Sequence, residues 1–399
     1  MLERGDAGQW RSLKKRRVDI KMKKLLTLLL VLTLAVSLFA GCGKDDTEVS
    51  ATGGTTDAKG VVKLGMLTPT SGDLAQYGVA VKNAAEMAIE ELNAAGGNYE
   101  LIVYDNEGDP TKSINLFNRL VEEDIVALIG PVISGTSLVV AELAQEAGIP
   151  MLTPTATNAD VTVGFDYVFR ACYIDPYQGR VVAKFAGENL KAKTAVIFRN
   201  ISNDYSIGLA DAFDTAFTGE IVADESYTAE DNDFKAIISN IVSLNPDVIF
   251  IPDYYNTVGL IAKQLNEAGV TATLLGGDGW DAIQNDYAAE VEGDFFANHY
   301  ATSDESPVVQ DFIAAYVAKY DEEPNALAAL SYDATKVMAA AIVAADSTDG
   351  AKIVEALKAT DMDAVCGEIK FDENGDTVKA ISIITIKDGK LQLETKISE

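Results

Sequence analysis

The sequence predicts an α/β protein of two lobes, each a mainly parallel sheet flanked by helices. Three observations lead there. From Val61 onward, short apolar runs alternate with longer amphipathic ones, the pattern of repeated βαβ units. The series runs twice, with a break near residue 170. The stretch after residue 60, roughly 340 residues, is long enough for two domains.

Residues 61–67 read as a strand. A helix follows in which Val81, Ala84, Ala85, Ala88 and Leu92 recur at i, i+3, i+4 spacing. Strand 101–104, helix 113–121, strand 125–129, helix 137–147 and strand 151–153 complete the first series. The second begins after 167–170. It runs strand 195–198, helix 207–217, strand 219–222, helix 234–244, strand 247–251, helix 258–268 and strand 273–275. Residues 308–357 are alanine-rich and helical, with aliphatic faces suited to packing on a sheet. Two closing strands, 380–386 and 391–397, meet at Asp388-Gly389, a hairpin signal.

The N-terminal end belongs to export rather than to the fold. Lys21, Lys23 and Lys24 precede an apolar run at 25–40, and small residues then lead into Cys42. The run is slightly short for a membrane span of ~20 residues. Leu38-Phe39-Ala40-Gly41-Cys42 is similar to a bacterial lipoprotein signal, in which the cysteine is lipidated and becomes the mature N-terminus. Phe39 departs from that pattern, because leucine is commonest there. Residues 1–41 are therefore expected to be a signal peptide. Within them 1–21 form an upstream extension, since Met22-Lys23-Lys24 is the better start. Residues 42–60, rich in Gly, Thr, Asp and Ser, read as a flexible tether. The expected location is extracytoplasmic, lipid-anchored to the outer face of the cell membrane.

Composition removes several functions. The chain carries 32 Lys+Arg against 61 Asp+Glu, a net −29, and beyond residue 41 the balance is 23 against 58. A surface that acidic repels phosphate backbones, so no nucleic-acid partner is expected. It repels anionic lipid too, which leaves the lipid on Cys42 as the membrane contact. With one histidine, His299, and three cysteines, no zinc site of His and Cys can be assembled. No Gly-x-Ser-x-Gly elbow and no Gly-x-x-x-x-Gly-Lys-Ser/Thr loop occurs. The chain is not read as an enzyme, and no metal or cofactor is expected. Cys172 and Cys366 either pair outside the cell or stand as two buried thiols.

In an open parallel sheet, ligands bind at the loops that follow strand ends. Three such loops stand out. Gly130-Pro131-Val132-Ile133-Ser134-Gly135 links a strand to a helix and makes Ser134 an N-cap candidate. Its hydroxyl and the free helix N–H groups suit an anion, though a plain cap has the same sequence. Thr153-Pro154-Thr155-Ala156-Thr157-Asn158 offers three hydroxyls. Gly276-Gly277-Asp278-Gly279-Trp280 presents an acid between glycines beside an indole, which suits a small cation; Gly-Asp-Gly is also an ordinary turn.

Order and spacing of these segments resemble the extracytoplasmic substrate-binding proteins of branched-chain amino acid ABC transporters, the leucine/isoleucine/valine-binding type. The resemblance extends over Leu67-Thr68-Pro69-Thr70-Ser71-Gly72, Gln76-Tyr77-Gly78, Tyr104-Asp105, Asp109-Pro110 and Phe371-Asp372-Glu373-Asn374-Gly375-Asp376 as well. It implies the type I periplasmic-binding-protein fold, two lobes joined by three interlobe crossings with the ligand in the cleft. Residues 61–172 and 299–378 would form lobe 1, and 173–298 and 379–399 lobe 2. Ser134 and Thr157 would hold an amino acid's carboxylate, and Thr155 would turn its backbone carbonyl to the ammonium. Asp278 takes the place of the ammonium-pairing acid, where many relatives have glutamate. Tyr77, Tyr205 and Tyr254 would line or close the cleft, with Trp280 as a further wall. His299 falls at a crossing and is read as a hinge residue without a catalytic role.

The physics agrees with that assignment. A buried zwitterion needs hydroxyls and dipoles at one end and a carboxylate at the other, since either charge left unpaired costs several kcal/mol. The implied function is capture of a branched-chain or other apolar amino acid and delivery to ABC permease subunits, by a monomer. Within the same fold the alternatives are an aromatic amino acid, an amide or urea, or a ligand-sensing receptor domain. A regulator on this fold would carry a basic helix-turn-helix where the apolar run stands.

Overall fold

The computed structural model describes residues 60–398; the expected signal peptide, Cys42 and all but the last residue of the expected tether lie outside them. Two large sheets organise the chain. The first contains β1 Val62–Thr68, β2 Tyr99–Asp105, β3 Ala127–Ile129, β4 Met151–Thr153 and β5 Val168–Arg170. Its order is β2-β1-β3-β4-β5, and every pairing is parallel. Helices α1 Ala75–Ala94, α2 Pro110–Glu122 and α3 Ser134–Ala147 make the crossovers. Alternate strand residues face opposite sides. Leu64 and Met66 therefore join Val81 and Ala85 of α1, whereas Leu67 joins Phe117, Leu120 and Val140 beneath α2 and α3. A sheet covered on both faces needs apolar residues throughout its strands, which is why they read as continuous runs.

After β5 the chain moves to the second sheet. Its elements are α4 Asp175–Glu188, β6 Thr194–Asn200, α5 Asp204–Ala216, β7 Glu220–Tyr227, α6 Lys235–Leu244, β8 Val248–Phe250, α7 Tyr255–Glu267 and β9 Thr273–Gly276. A 3-10 turn at Asp278–Trp280, the short α8 Gln284–Tyr287 and β10 Phe295–Asn298 follow. The last two strands, β13 Ile381–Lys387 and β14 Lys390–Ile397, complete the order β14-β13-β10-β9-β8-β6-β7. Only β13 runs antiparallel, to both β10 and β14. Their hairpin turns at Asp388 and Gly389, both with positive φ (53° and 71°), the conformation that Asp-Gly favours.

Between β10 and β13 the chain returns to the first sheet. There α9 Pro307–Tyr320, α10 Ala326–Ala345 and α11 Gly350–Lys358 precede the two-stranded ribbon of β11 Asp361–Met362 and β12 Ile369–Lys370. α10 lies along α1, and Ser331 donates to Val81 O at 2.8 Å. By length and composition α10 is apolar enough to cross a membrane, but 83% of its apolar window is buried inside the protein. The long helical stretch expected at 308–357 is broken where Asp321 and Asp346 adopt left-handed conformations, and Asn325 and Asp349 cap the helices that follow. Two elements that support the site have no counterpart in the sequence reading. α4 carries Tyr177, Val181, Val182 and Phe185 on its buried face, interleaved with Gln178, Arg180 and Lys184. β10 ends in Asn298 just before the chain leaves the sheet. Cys172 and Cys366 are both buried free thiols.

The chain thus passes between the sheets around 171–174, 299–306 and 377–380. Asp281 braces the second passage. Its Oδ1 accepts from Asn298 Nδ2 at 2.9 Å, and its Oδ2 accepts from Ala326 N at 2.9 Å, at the start of α10. Burial raises its carboxyl to about 6, against the hydrogen bonds that favour the anion. A carboxyl raised on folding contributes stability that is complete below its unfolded value near 4 and is lost as the pH climbs through 6. Asp281→Asn does not titrate. Urea unfolding at pH 4.5 and 7.5 should therefore show this variant gaining about 2 kcal/mol on the wild type between the two values. An unchanged gap would mean that Asp281 is ionised at both.

Candidate ligand-binding site

Loops from the C-terminal ends of strands in both sheets converge on one small cavity. Val132, Ile133 and Ser134 come after β3, Thr155 and Thr157 after β4, and Asp278 and Gly279 after β9. Tyr77, Tyr205, Tyr254 and Leu327 complete the wall from α1, α5, the start of α7 and α10. The empty volume is about 300 Å³. The walls are drawn together.

At one end stands Asp278, 5% exposed. Its Oδ1 accepts from Gln178 Nε2 and Tyr205 OH, each at 3.0 Å, and its Oδ2 lies 3.1 Å from His299 Nε2. Gln178 also holds the backbone, its Oε1 accepting from Asp278 N at 2.7 Å. Gly279 N donates to the Tyr205 hydroxyl at 2.9 Å. Burial keeps Tyr77, Tyr205 and Tyr254 well above the ordinary phenol range, so all three are neutral. Asp175 lies beyond Gln178, whose Nε2 reaches its Oδ1 at 3.3 Å. Burial, and then the charge of Asp278, push its carboxyl well above the usual range. His299 is pushed down by burial, with Asp278 opposing.

Hydroxyls and a helix N-terminus form the other end. Ser134 Oγ accepts from Asn158 N at 3.3 Å, and Thr155 Oγ1 donates to Val132 O at 2.7 Å. Ser134 was expected as the N-cap of α3. Instead Ile133 takes the extended cap conformation and Ser134 is the first helical residue, so its N–H is one of the free groups of the first turn. The threonine loop has little regular structure, and buried Arg170 satisfies its carbonyls. Nη1 donates to Ala156 O and Asn158 O at 2.8 Å, and Nη2 to Ala159 O at 3.1 Å and to Thr162 Oγ1 at 2.8 Å. Nε pairs with Asp376 at 2.5 Å.

Several contacts join the two sides across the cavity. Tyr77 OH donates to Gly279 O and accepts from Tyr255 N at 3.2 Å. Tyr255 OH donates to Asp73 O at 2.7 Å, and Asn158 Nδ2 to Asp204 O at 2.9 Å. The Tyr205 and Tyr254 rings stack, with centroids 5.2 Å apart.

Residues 61–390 match the periplasmic binding protein family. The chain belongs to that family. It is 34% identical to the Leu/Ile/Val-binding protein BraC3 of Rhizobium johnstonii over 347 residues, which covers 83% of this chain and 93% of the relative. The leucine binding protein LivK of Thermotoga maritima has a similar structure, with a TM-score of 0.81 and 37% identity, covering 84% of this chain and 99% of that one. The branched-chain amino acid substrate-binding protein LivJ of Streptococcus pneumoniae, solved with isoleucine, gives 0.80 and 33%, covering 84% and 98%. The fold is the type I periplasmic-binding-protein fold, and members of this family bind solutes rather than catalyse reactions.

The structure of this periplasmic binding protein brings Tyr77, Ser134, Thr155, Thr157, Tyr205, Tyr254 and Asp278 around one cavity. Trp280 does not join them. The 3-10 turn carries it away from the cavity into the sheet, where its Nε1 donates to Ile251 O at 2.9 Å and its ring packs near Phe296. The same ring lies where a Cβ on Gly276 would stand, 2.2 Å away, so this glycine makes room for it. Gln178 and His299 were missed as parts of the site. The Asp175-Pro176 pair marks the start of α4 and was the available signal for the first. His299, flanked by Asn298 and Tyr300, carried no local signal. Removing the guanidinium should leave Asp376 and several carbonyls unpaired. Arg170→Met is therefore expected to lower the unfolding free energy by about 3–5 kcal/mol in urea titrations; a loss under 1 kcal/mol would show that water replaces it.

Proposed function

We propose that this protein captures a branched-chain or other apolar amino acid in its cavity and delivers it to the permease of an ABC transporter. The observation that carries the reading is the polarity of the site. Asp278, gripped by three donors, faces the Ser134–Thr157 side across a gap walled by Val132, Ile133, Leu327 and tyrosine rings. A zwitterion matches that arrangement end for end. Its carboxylate meets Ser134, Thr157 and the N-terminus of α3. Its ammonium meets Asp278 and the backbone carbonyl of Thr155, while the apolar side chain takes the middle. The relatives named for leucine, isoleucine and valine support the same ligand class.

The lobes in this reading are 61–172 with 299–378, and 173–298 with 379–399. The carboxylate-binding end belongs to one and Asp278 to the other, so only a closed cleft satisfies both ends of the ligand. Binding therefore favours closure. The protein acts as a monomer, held outside the cytoplasm by a lipid on Cys42.

A thermal-shift screen of the twenty amino acids tests the ligand class. A ligand at 100 times its Kd adds about 2.7 kcal/mol of stability. Isothermal titration with the best binder then tests the site. Asp278→Asn leaves a desolvated ammonium without its countercharge and should cost about 2–5 kcal/mol of binding, roughly 30- to several-thousand-fold in Kd. Ser134→Ala removes one charge-assisted hydrogen bond among several and should cost about 1.5–3 kcal/mol. Wild-type affinity in Asp278→Asn would reduce the acid to a turn residue.

Mass spectrometry of protein taken from native membranes tests the anchor. The expected N-terminus is a lipidated Cys42 with residues 1–41 absent; an unmodified Cys42 preceded by Gly41 would reject it.

A further inference from the structure

His299 is the single histidine of the chain, and it follows β10 where the chain leaves the second sheet. Its side chain is fully buried and stacks on Tyr173, a residue of the first passage between the sheets, with centroids 3.8 Å apart and planes at 22°. Nε2 faces Asp278 Oδ2 at 3.1 Å, and among the described residues no hydrogen-bond partner reaches Nδ1. A carboxylate oxygen accepts about two hydrogen bonds. Oδ1 of Asp278 already takes two, from Gln178 and Tyr205, so its free acceptor position is on Oδ2, beside the imidazole. An ammonium that comes to Asp278 must share that oxygen with His299.

We propose that His299 is a positioning residue that orients Asp278 and makes a proton compete with the ligand for it. The inference rests on the reading that Asp278 meets the ligand's ammonium. A neutral imidazole with its proton on Nε2 donates to Oδ2 and leaves the carboxylate charge for the ligand. An imidazolium neutralises that charge itself, stands as a second cation beside the ammonium, and buries an Nδ1–H with no acceptor. Proton and ligand then weaken each other by the same factor, as linkage requires.

The groups around the pair fit this role. Burial and the charge of Lys379, from the third passage, oppose the imidazolium, and Asp278 favours it. Tyr173 and Tyr205 are buried phenols held neutral, and Cys172 is a buried thiol pushed up by burial. Asp281 also acts on Tyr173, from the far side of the turn. The other acid near Asp278 is Asp175, linked to it through Gln178. Because Asp175 is itself pushed upward, it is the competing source of any pH dependence and needs its own control.

The test is a series of L-leucine titrations of the processed full-length protein, without a histidine tag, from pH 5 to 8. The expected wild-type Kd is level at the alkaline end and rises by up to tenfold per pH unit once His299 takes its proton. His299→Gln keeps an amide donor for Asp278 but cannot titrate. Whatever its affinity at pH 7.5, it should lose the acid-side rise, while Asp175→Asn retains it. A flat wild-type profile, an unaltered rise in His299→Gln, or a rise lost only in Asp175→Asn would each overturn the proposal. Asp278→Asn separates the two levels of inference. Near-normal binding there removes the site reading and this proposal with it, as does a wild type that binds no apolar amino acid. Lost binding there, with the rise intact in His299→Gln, removes this proposal alone. Should His299→Gln fail to fold, the wild type decides by NMR, because one imidazole gives one titration. Leucine should shift it to lower pH, and an identical midpoint with and without leucine would overturn the idea.

Discussion

A carboxylate can lie this deep between two sheets only if donors surround it, and much of the second half of the fold is arranged around Asp278 for that purpose. An ionised acid taken out of water without partners costs several kcal/mol. Here Gln178 comes from α4, Tyr205 from α5 and His299 from the end of β10, three elements far apart in sequence. The glycines beside the acid serve the same demand. A Cβ on Gly277 would stand 2.6 Å from the Tyr205 hydroxyl and 2.8 Å from Gln178 Oε1, and one on Gly279 would stand 2.9 Å from the Tyr205 ring. The donors reach the carboxylate because its neighbours have no side chains. Gly-Asp-Gly, an ordinary turn by sequence, is in this place a requirement of close approach.

The opposite end of the cavity solves the reverse problem. The loop after β4 leaves regular pairing in order to present hydroxyls, so its carbonyls lose their usual partners. Arg170 supplies them from a single fork, and Asp376 balances its charge. The guanidinium is thus turned away from the cavity and spent on the backbone of the loop. This cation need not line the cavity to matter there. It fixes the positions of Thr155 and Thr157 and contributes positive potential behind them.

How much of this was legible beforehand depended on whether a residue acts through local pattern or through distant partners. The strands of both sheets were readable because burial on two faces demands unbroken apolar runs, and Val248–Phe250 or Ala127–Ile129 could hardly be anything else. The loops that follow strand ends were readable from Gly, Pro and hydroxyl residues, and most of the residues picked from them do line the cavity. α4 was hidden because its buried stripe is broken by Gln178, a residue kept for Asp278 rather than for the core. Trp280 misled for the opposite reason. Sequence proximity to the acid suggested a wall, but a 3-10 turn of three residues is enough to point neighbours to opposite sides. His299 carries no local signal of its place beside the cavity, since its partner lies in the turn after another strand.

The positions of the donors also tie the site to the passages between the sheets. Gln178 sits one turn into the helix that follows the first passage, and His299 begins the second. Tyr173, within the first, stacks on His299 and so joins the two. Any rotation of one sheet against the other must turn backbone torsions in these segments, next to side chains that set the angle of the Asp278 carboxylate. The acid in turn adjoins Gly279, whose carbonyl receives the Tyr77 hydroxyl from the other side of the cavity. One short turn therefore carries the carboxylate that lines the cavity and a cross-cavity contact, and its supports run back to the passages. In such an arrangement, the carboxylate in the cavity and the passages between the sheets share one set of hydrogen bonds.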